Sequence, residues 1–182
     1  MATKRKLRPI ARLLEALEAE DIRFMLVGMS AAIVQGVMET TLDTDIWIDL
    51  PSRHYMRVQN IARKLGAVMT ANTVAYLVDG TPVKFVFEVT GLNSFSAEFK
   101  NAVRLKFHGR RIPVLKLERI LKSKETIRRD KDLAHIIHIR NLLRCRRSLS
   151  AAKRKTRNRL KPATPQKGPH ADSRFSRAVG RK

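Results

Sequence analysis

The feature that most constrains this chain is a glycine followed at short range by two aspartates one residue apart. Gly28-Met-Ser-Ala31 leads to Thr41-Leu-Asp43-Thr-Asp45-Ile-Trp-Ile48. Residues 22–27, apolar except for Arg23, read as a strand ending at Gly28, and residues 30–35 as a short helix stopped by Gly36. Residues 43–50 read as the next strand. Side chains at i and i+2 of a strand share a face, so Asp43 and Asp45 are expected to project together. Two carboxylates that close repel unless positive charge lies between them. The simplest such charge is Mg²⁺, which takes hard oxygen ligands. A glycine turn upstream lets backbone N–H groups approach a phosphate. The combination points to a site that grips a nucleoside triphosphate through metal and backbone.

The rest of the chain reads as alternating helices and strands interrupted by hairpins. Ile10, Leu13, Leu14 and Leu17 keep helical spacing, giving a helix over residues 9–20. Pro51-Ser52 opens a helix that ends at Leu65-Gly66. Strands over residues 73–78 and 83–89 flank the turn signal Asp79-Gly80. A helix over 94–102 precedes a second hairpin, 103–108 and 111–114, around Gly109. Helices over 117–126 and 131–143 close the body. Two hairpins within a β-α alternation predict an α+β domain with a mixed sheet flanked by helices.

The order of these motifs resembles the minimal nucleotidyltransferases of the polymerase-beta-like superfamily, with the AbiEii-type proteins as the nearest group. The resemblance covers residues 22–143. It rests on the strand, Gly turn, short helix and Thr41-x-Asp43-x-Asp45, then on the 113–124 segment with Lys124 and on Arg129-Asp-Lys131-Asp132-Leu133. It implies the nucleotidyltransferase fold and transfer of a nucleoside monophosphate from Mg²⁺–NTP to a hydroxyl of an RNA, protein or small-molecule acceptor. The implied metal ligands are Asp43 and Asp45. Gly28, Met29 and Ser30 would form the phosphate-gripping turn, Met29 standing where the family has serine. Thr41 positions the turn before the aspartates.

The family also places a third acid on a later strand, where this chain has Lys84. Glu88 is four residues further on, about 13 Å along an extended strand, and reaches the metal pair only through a bulge or register shift. Lys84 is expected beside the aspartates, pairing with one of them in place of a metal charge or contacting a phosphate. Lys124, with Arg129, Lys131 and Asp132, is expected to line the triphosphate or acceptor side of the cleft. The alternative function is a catalytically impaired protein of this fold that binds RNA or a protein partner, in a toxin–antitoxin setting among others. His135 and His138, at i and i+3, lack an evident further ligand, and Trp47 is read as a cleft wall.

Charge separates the two ends of the chain. The formal net charge is +22, from 38 Lys/Arg against 16 acids. Residues 144–182 carry 14 of the basic residues and one acid, Asp172. This stretch also has prolines and few apolar residues, so residues 148–182 are expected to form a disordered basic tail after a domain of residues 1–147. Such a tail favours RNA or another polyanion. A single cysteine, Cys145, excludes an internal disulfide and fits a reducing cytoplasm. No apolar run is long enough to span a membrane.

Overall fold

A computed structural model of the chain describes residues 7–159. Contacts divide the chain into Met1–Arg147 and Ser148–Lys182, and the first unit holds the sheet. Its elements begin with helix α1 (Pro9–Ala19), strand β1 (Phe24–Val27), helix α2 (Gly28–Val34) and strand β2 (Thr44–Ile48). A 3-10 turn (Ser52–His54) leads into α3 (Tyr55–Lys64). Strands β3 (Val68–Ala71), β4 (Val74–Tyr76) and β5 (Pro82–Val86) follow, then α4 (Phe95–Phe99). Strands β6 (Val103–Phe107) and β7 (Arg110–Val114) precede α5 (Leu117–Ile127) and α6 (Asp130–Arg159).

The seven strands form one mixed sheet in the order β3-β4-β5-β2-β1-β7-β6. β1 pairs antiparallel with β2, whereas β2–β5 and β1–β7 are parallel. The fold is therefore the expected α+β class with a mixed sheet. All four residues of β1 are buried, so both faces of the sheet centre are covered. α1 turns Ile10, Leu13, Leu14 and Leu17 into the core, each 2% exposed or less. The spacing that marks those residues in the sequence is the stripe that packs.

Beyond shifts of a few residues at element ends, three departures from the sequence reading change an element. The β3–β4 hairpin replaces a single strand over 73–78; β3 lies at the sheet edge and is mostly exposed, so it carries little apolar signal. β5 stops at Val86, leaving Glu88 outside any strand. The last helix does not end at Leu143 but continues through Ser148 to Arg159. Residues 148–159, read as part of a structureless tail, are thus helical; residues 160–182 of that expected tail lie outside the described residues. Arg, Lys and Ala dominate residues 151–159 and are strong helix formers, a preference independent of apolar content. No helix of the described residues is long and apolar enough to cross a membrane.

Candidate active site

Sheet register assembles the site. Val27, the last residue of β1, lies opposite Asp45 on β2, and Asp45 lies opposite Lys84 on the parallel neighbour β5. The chain leaves β1 directly into Gly28, whose φ of +64° is the left-handed conformation that favours glycine. A Cβ on Gly28 would lie 2.1 Å from Asp45 Oδ2 and 3.0 Å from its Cγ. The Asp45 carboxylate therefore packs directly against the bare Cα of the turn. This is the physical reason for the glycine.

The side chains beside Gly28 are engaged elsewhere. Met29 is 5% exposed and belongs to the core. The buried Ser30 hydroxyl donates to the backbone carbonyl of Asp43 at 2.8 Å. What this turn offers a ligand is backbone rather than side chain. Thr41 Oγ1 donates to Asp43 Oδ1 at 2.8 Å, so it orients the first aspartate. Asp43 itself immediately precedes β2, is exposed, and lines a cavity of about 380 Å³ with Ser30, Thr41 and His108.

Asp45 lines a different cleft, of about 260 Å³, together with Gly28, Lys84, Glu88, Lys124 and Arg129. Burial pushes the Asp45 carboxyl up to about 6, and the charge of Asp43 adds to the rise; Lys84, Lys124 and Lys131 oppose it. The two aspartates thus feel each other, and the cleft surrounds one of them with cations. Asp43 and Asp45 are oxygen donors of the kind a divalent cation takes, and the Asp43 charge raises Asp45, a repulsion that a cation would relieve. Among the described residues there is no group of three or more His, Cys, Asp or Glu side chains arranged to hold a metal. The strand position beside Asp45 carries an ammonium instead of a third acid.

Glu88 enters the cleft by a route the sequence does not predict. Past Val86 the backbone bends at Phe87, whose carbonyl accepts the Trp47 indole N–H at 3.0 Å. Glu88 then follows in a loop, no longer four residues along a strand from Lys84. Glu88, Val89 and Thr90 are shared between the Asp45 cleft and a cavity of about 640 Å³ walled by Trp47, Phe87 and Phe95. Trp47 is 2% exposed and packs edge-on against Phe95 at 5.5 Å, so it is a wall. Gly91, φ +79°, fixes this loop against α5: a Cβ there would lie 2.4 Å from Thr126 Oγ1.

Lys124 and Arg129 reach the cleft from the junction of α5 and α6. Arg128 ends α5 in the left-handed conformation and reverses the chain. Lys124 Nζ then lies 2.8 Å from Asp132 Oδ1 and 3.2 Å from His135 Nδ1. Desolvation opposes the Asp132 charge, but hydrogen bonds from Arg129 and Lys124 prevail and hold its carboxyl well below the usual range. Glu39 lies 3.9 Å from His135 Nε2 and 3.2 Å from His138 Nδ1. The i, i+3 histidines therefore face a carboxylate from the loop before Asp43, contrary to the expectation that nothing joins them. Outside the cleft, the buried Glu98 carboxylate accepts from Arg119 Nε at 2.8 Å and from the Asn93 backbone N–H at 3.1 Å. This pair ties α4 to α5, and the sequence offers no signal for it.

No protein-family model matches this chain, and no curated protein matches it. Solved structures do. The chain is similar to the antibiotic-resistance factor ANT(2")-Ia, solved in complex with adenylyl-2"-tobramycin: TM-score 0.51, 16% identity, over 81% of this chain and 95% of that one. It is also similar to the lincosamide antibiotic adenylyltransferase LnuA, solved bound to lincomycin, with TM-score 0.50 and 14% identity over 72% of this chain and 94% of that one. The fold is that of the nucleotidyltransferases.

Proposed function

We propose that this protein binds Mg²⁺–NTP in the Asp45 cleft and transfers the nucleoside monophosphate to an acceptor hydroxyl, releasing pyrophosphate. The observation that carries this reading is the meeting of Gly28, Asp45, Lys84, Lys124 and Arg129 in one cleft on a nucleotidyltransferase fold. Backbone N–H groups of the Gly28 turn bind phosphate oxygens. Lys84, Lys124 and Arg129 offset the triphosphate charge. Asp43 and Asp45 would hold the metal, which would supply positive charge to offset that developing on the phosphates during transfer.

Glu88 sits where the donor cleft meets the 640 Å³ cavity. That junction suits a base: Glu88 takes the acceptor hydroxyl proton as the new O–P bond forms and the bond to pyrophosphate breaks. The cavity is of a size that holds a small organic acceptor, and the tobramycin adduct and lincomycin in the two structural neighbours exemplify that class. RNA and protein hydroxyls are the other acceptors, with the basic C-terminal stretch, residues 148–182 as a unit of its own, as a polyanion-binding element. Within the fold we assign the chain to the AbiEii-type group, acting in the cytoplasm.

One observation favours a second reading, a binding protein that has lost catalysis. Lys84 stands directly opposite Asp45, where the resemblance implies a carboxylate. Incubation of the full chain with each labelled NTP, Mg²⁺ and total RNA, lysate protein or hydroxyl-bearing small molecules separates the two. Label transfer with pyrophosphate release is the expected result. NTP binding without transfer to any acceptor would establish the second reading.

A further inference from the structure

Asp132 is fully buried, 0% exposed, and lines no cavity described above, yet it grips two of the cations that do. Its Oδ1 accepts from Lys124 Nζ at 2.8 Å, and its Oδ2 from Arg129 Nε at 2.8 Å; Arg129 Nη2 lies 3.4 Å from Oδ1. Lys124 comes from the last turn of α5 and Arg129 from the residue after the left-handed Arg128. One carboxylate therefore clamps both sides of the turn. The Asp45 charge acts on Arg129, and the Lys124 charge acts on Asp45, so both gripped cations lie within electrostatic range of the cleft's aspartate.

We infer that Asp132 is a positioning residue that presents Lys124 and Arg129 as a fixed cation pair for the distal phosphates of the donor, and so sets the preference of this cleft for a triphosphate chain. The inference rests on the proposed nucleotide site. Free lysine and arginine side chains lose substantial rotamer freedom when a ligand fixes them. Holding them in advance removes that loss from binding. Asp132 cancels one of their two charges, leaving the pair net positive toward the cleft. A monophosphate anchored at Gly28 and Asp45 has no distal phosphates for the pair to engage. A triphosphate has two, so only the longer chain gains from the clamp.

Titration calorimetry of the full chain with ATP, AMP and inorganic tripolyphosphate tests this in wild type, Asp132→Asn and Asp132→Glu. Asp132→Asn is expected to weaken ATP and tripolyphosphate at least tenfold while AMP changes less than twofold. Asp132→Glu retains the charge and moves the two cations, with a thermal melt reading its stability; it is expected to give an intermediate loss, again confined to the longer chains. Equal loss for all three ligands, or unchanged triphosphate preference in both variants, would reduce Asp132 to a structural ion-pair centre. Tripolyphosphate separates the inference from the nucleotide reading. Tripolyphosphate binding that depends on Asp132, without ATP binding, would keep the clamp and overturn the nucleotide site. Wild type that binds neither would overturn both.

Discussion

Gly28→Ala is expected to reduce Mg²⁺–NTP affinity at least tenfold and to lower overall stability by about 2 kcal/mol. Two costs combine. Alanine at φ +64° carries left-handed strain of about 1 kcal/mol. The larger cost is steric: the new methyl carbon would sit 2.1 Å from Asp45 Oδ2, 3.0 Å from Cγ and 3.1 Å from Cβ. The whole carboxylate group has to move, and the neighbouring strands restrict where it can go, since Asp45 is paired with Val27 on one side and Lys84 on the other. The clash is met in the free protein and so lowers stability, while the displaced carboxylate no longer stands where the metal and donor would meet it, which lowers affinity. Calorimetric titration with Mg²⁺–NTP and a thermal melt measure the two quantities. Unaltered affinity in Gly28→Ala would mean that Asp45 does not hold the ligand in the position described.

Lys84→Asp is expected to raise divalent-metal affinity about tenfold or more, because an oxygen ligand replaces a repelling ammonium beside Asp45. The parallel β2–β5 register places the substituted residue directly opposite Asp45. Lys84 is exposed, so the change leaves the core untouched. Mn²⁺ titration at pH 8 reads the effect. That pH keeps Asp45, whose carboxyl burial pushes up to about 6, in its charged form. Transfer should rise with metal affinity if a missing third acid limits catalysis. Brisk transfer by wild type that Lys84→Asp abolishes would instead make Lys84 a working part of the site, and the impaired-enzyme reading would fail.

The fold was largely legible where the chain punctuates itself. Asp79-Gly80 and Gly109 sit at hairpin turns with φ of +80° and +90°, which their residue types announce. The α1 stripe and the apolar β1 are equally direct. The β3–β4 hairpin was not legible, since an exposed edge strand has no face that must be apolar. The extension of α6 to Arg159 carries no apolar signal, because helix propensity rather than a buried face sets the local structure of this charged stretch.

Of the site, Gly28, Asp45 and Lys84 are set by strand pairing, which sequence periodicity reports, whereas Asp43 lies just before β2, outside the paired residues, and lines a cavity of its own. Glu88 depends on a bend at Phe87, stabilised by a hydrogen bond from Trp47 forty residues earlier. The Arg129–Asp132 contact follows helical i, i+3 spacing and is readable in principle. The Lys124 contact requires the reversal at Arg128, a non-glycine residue at positive φ that no turn signal marks.

The proposed site puts Asp45 in the cleft and Asp43 just before β2 as the two carboxylates toward Mg²⁺–NTP. The most direct measurement is calorimetric titration of wild type, Asp43→Ala and Asp45→Ala with Mg²⁺–ATP, Mg²⁺–CTP, Mg²⁺–GTP and Mg²⁺–UTP. Wild type is expected to give a saturable isotherm with at least one of the four, with the larger loss in Asp45→Ala and a smaller one in the exposed Asp43→Ala. Equal isotherms for all three proteins would contradict it.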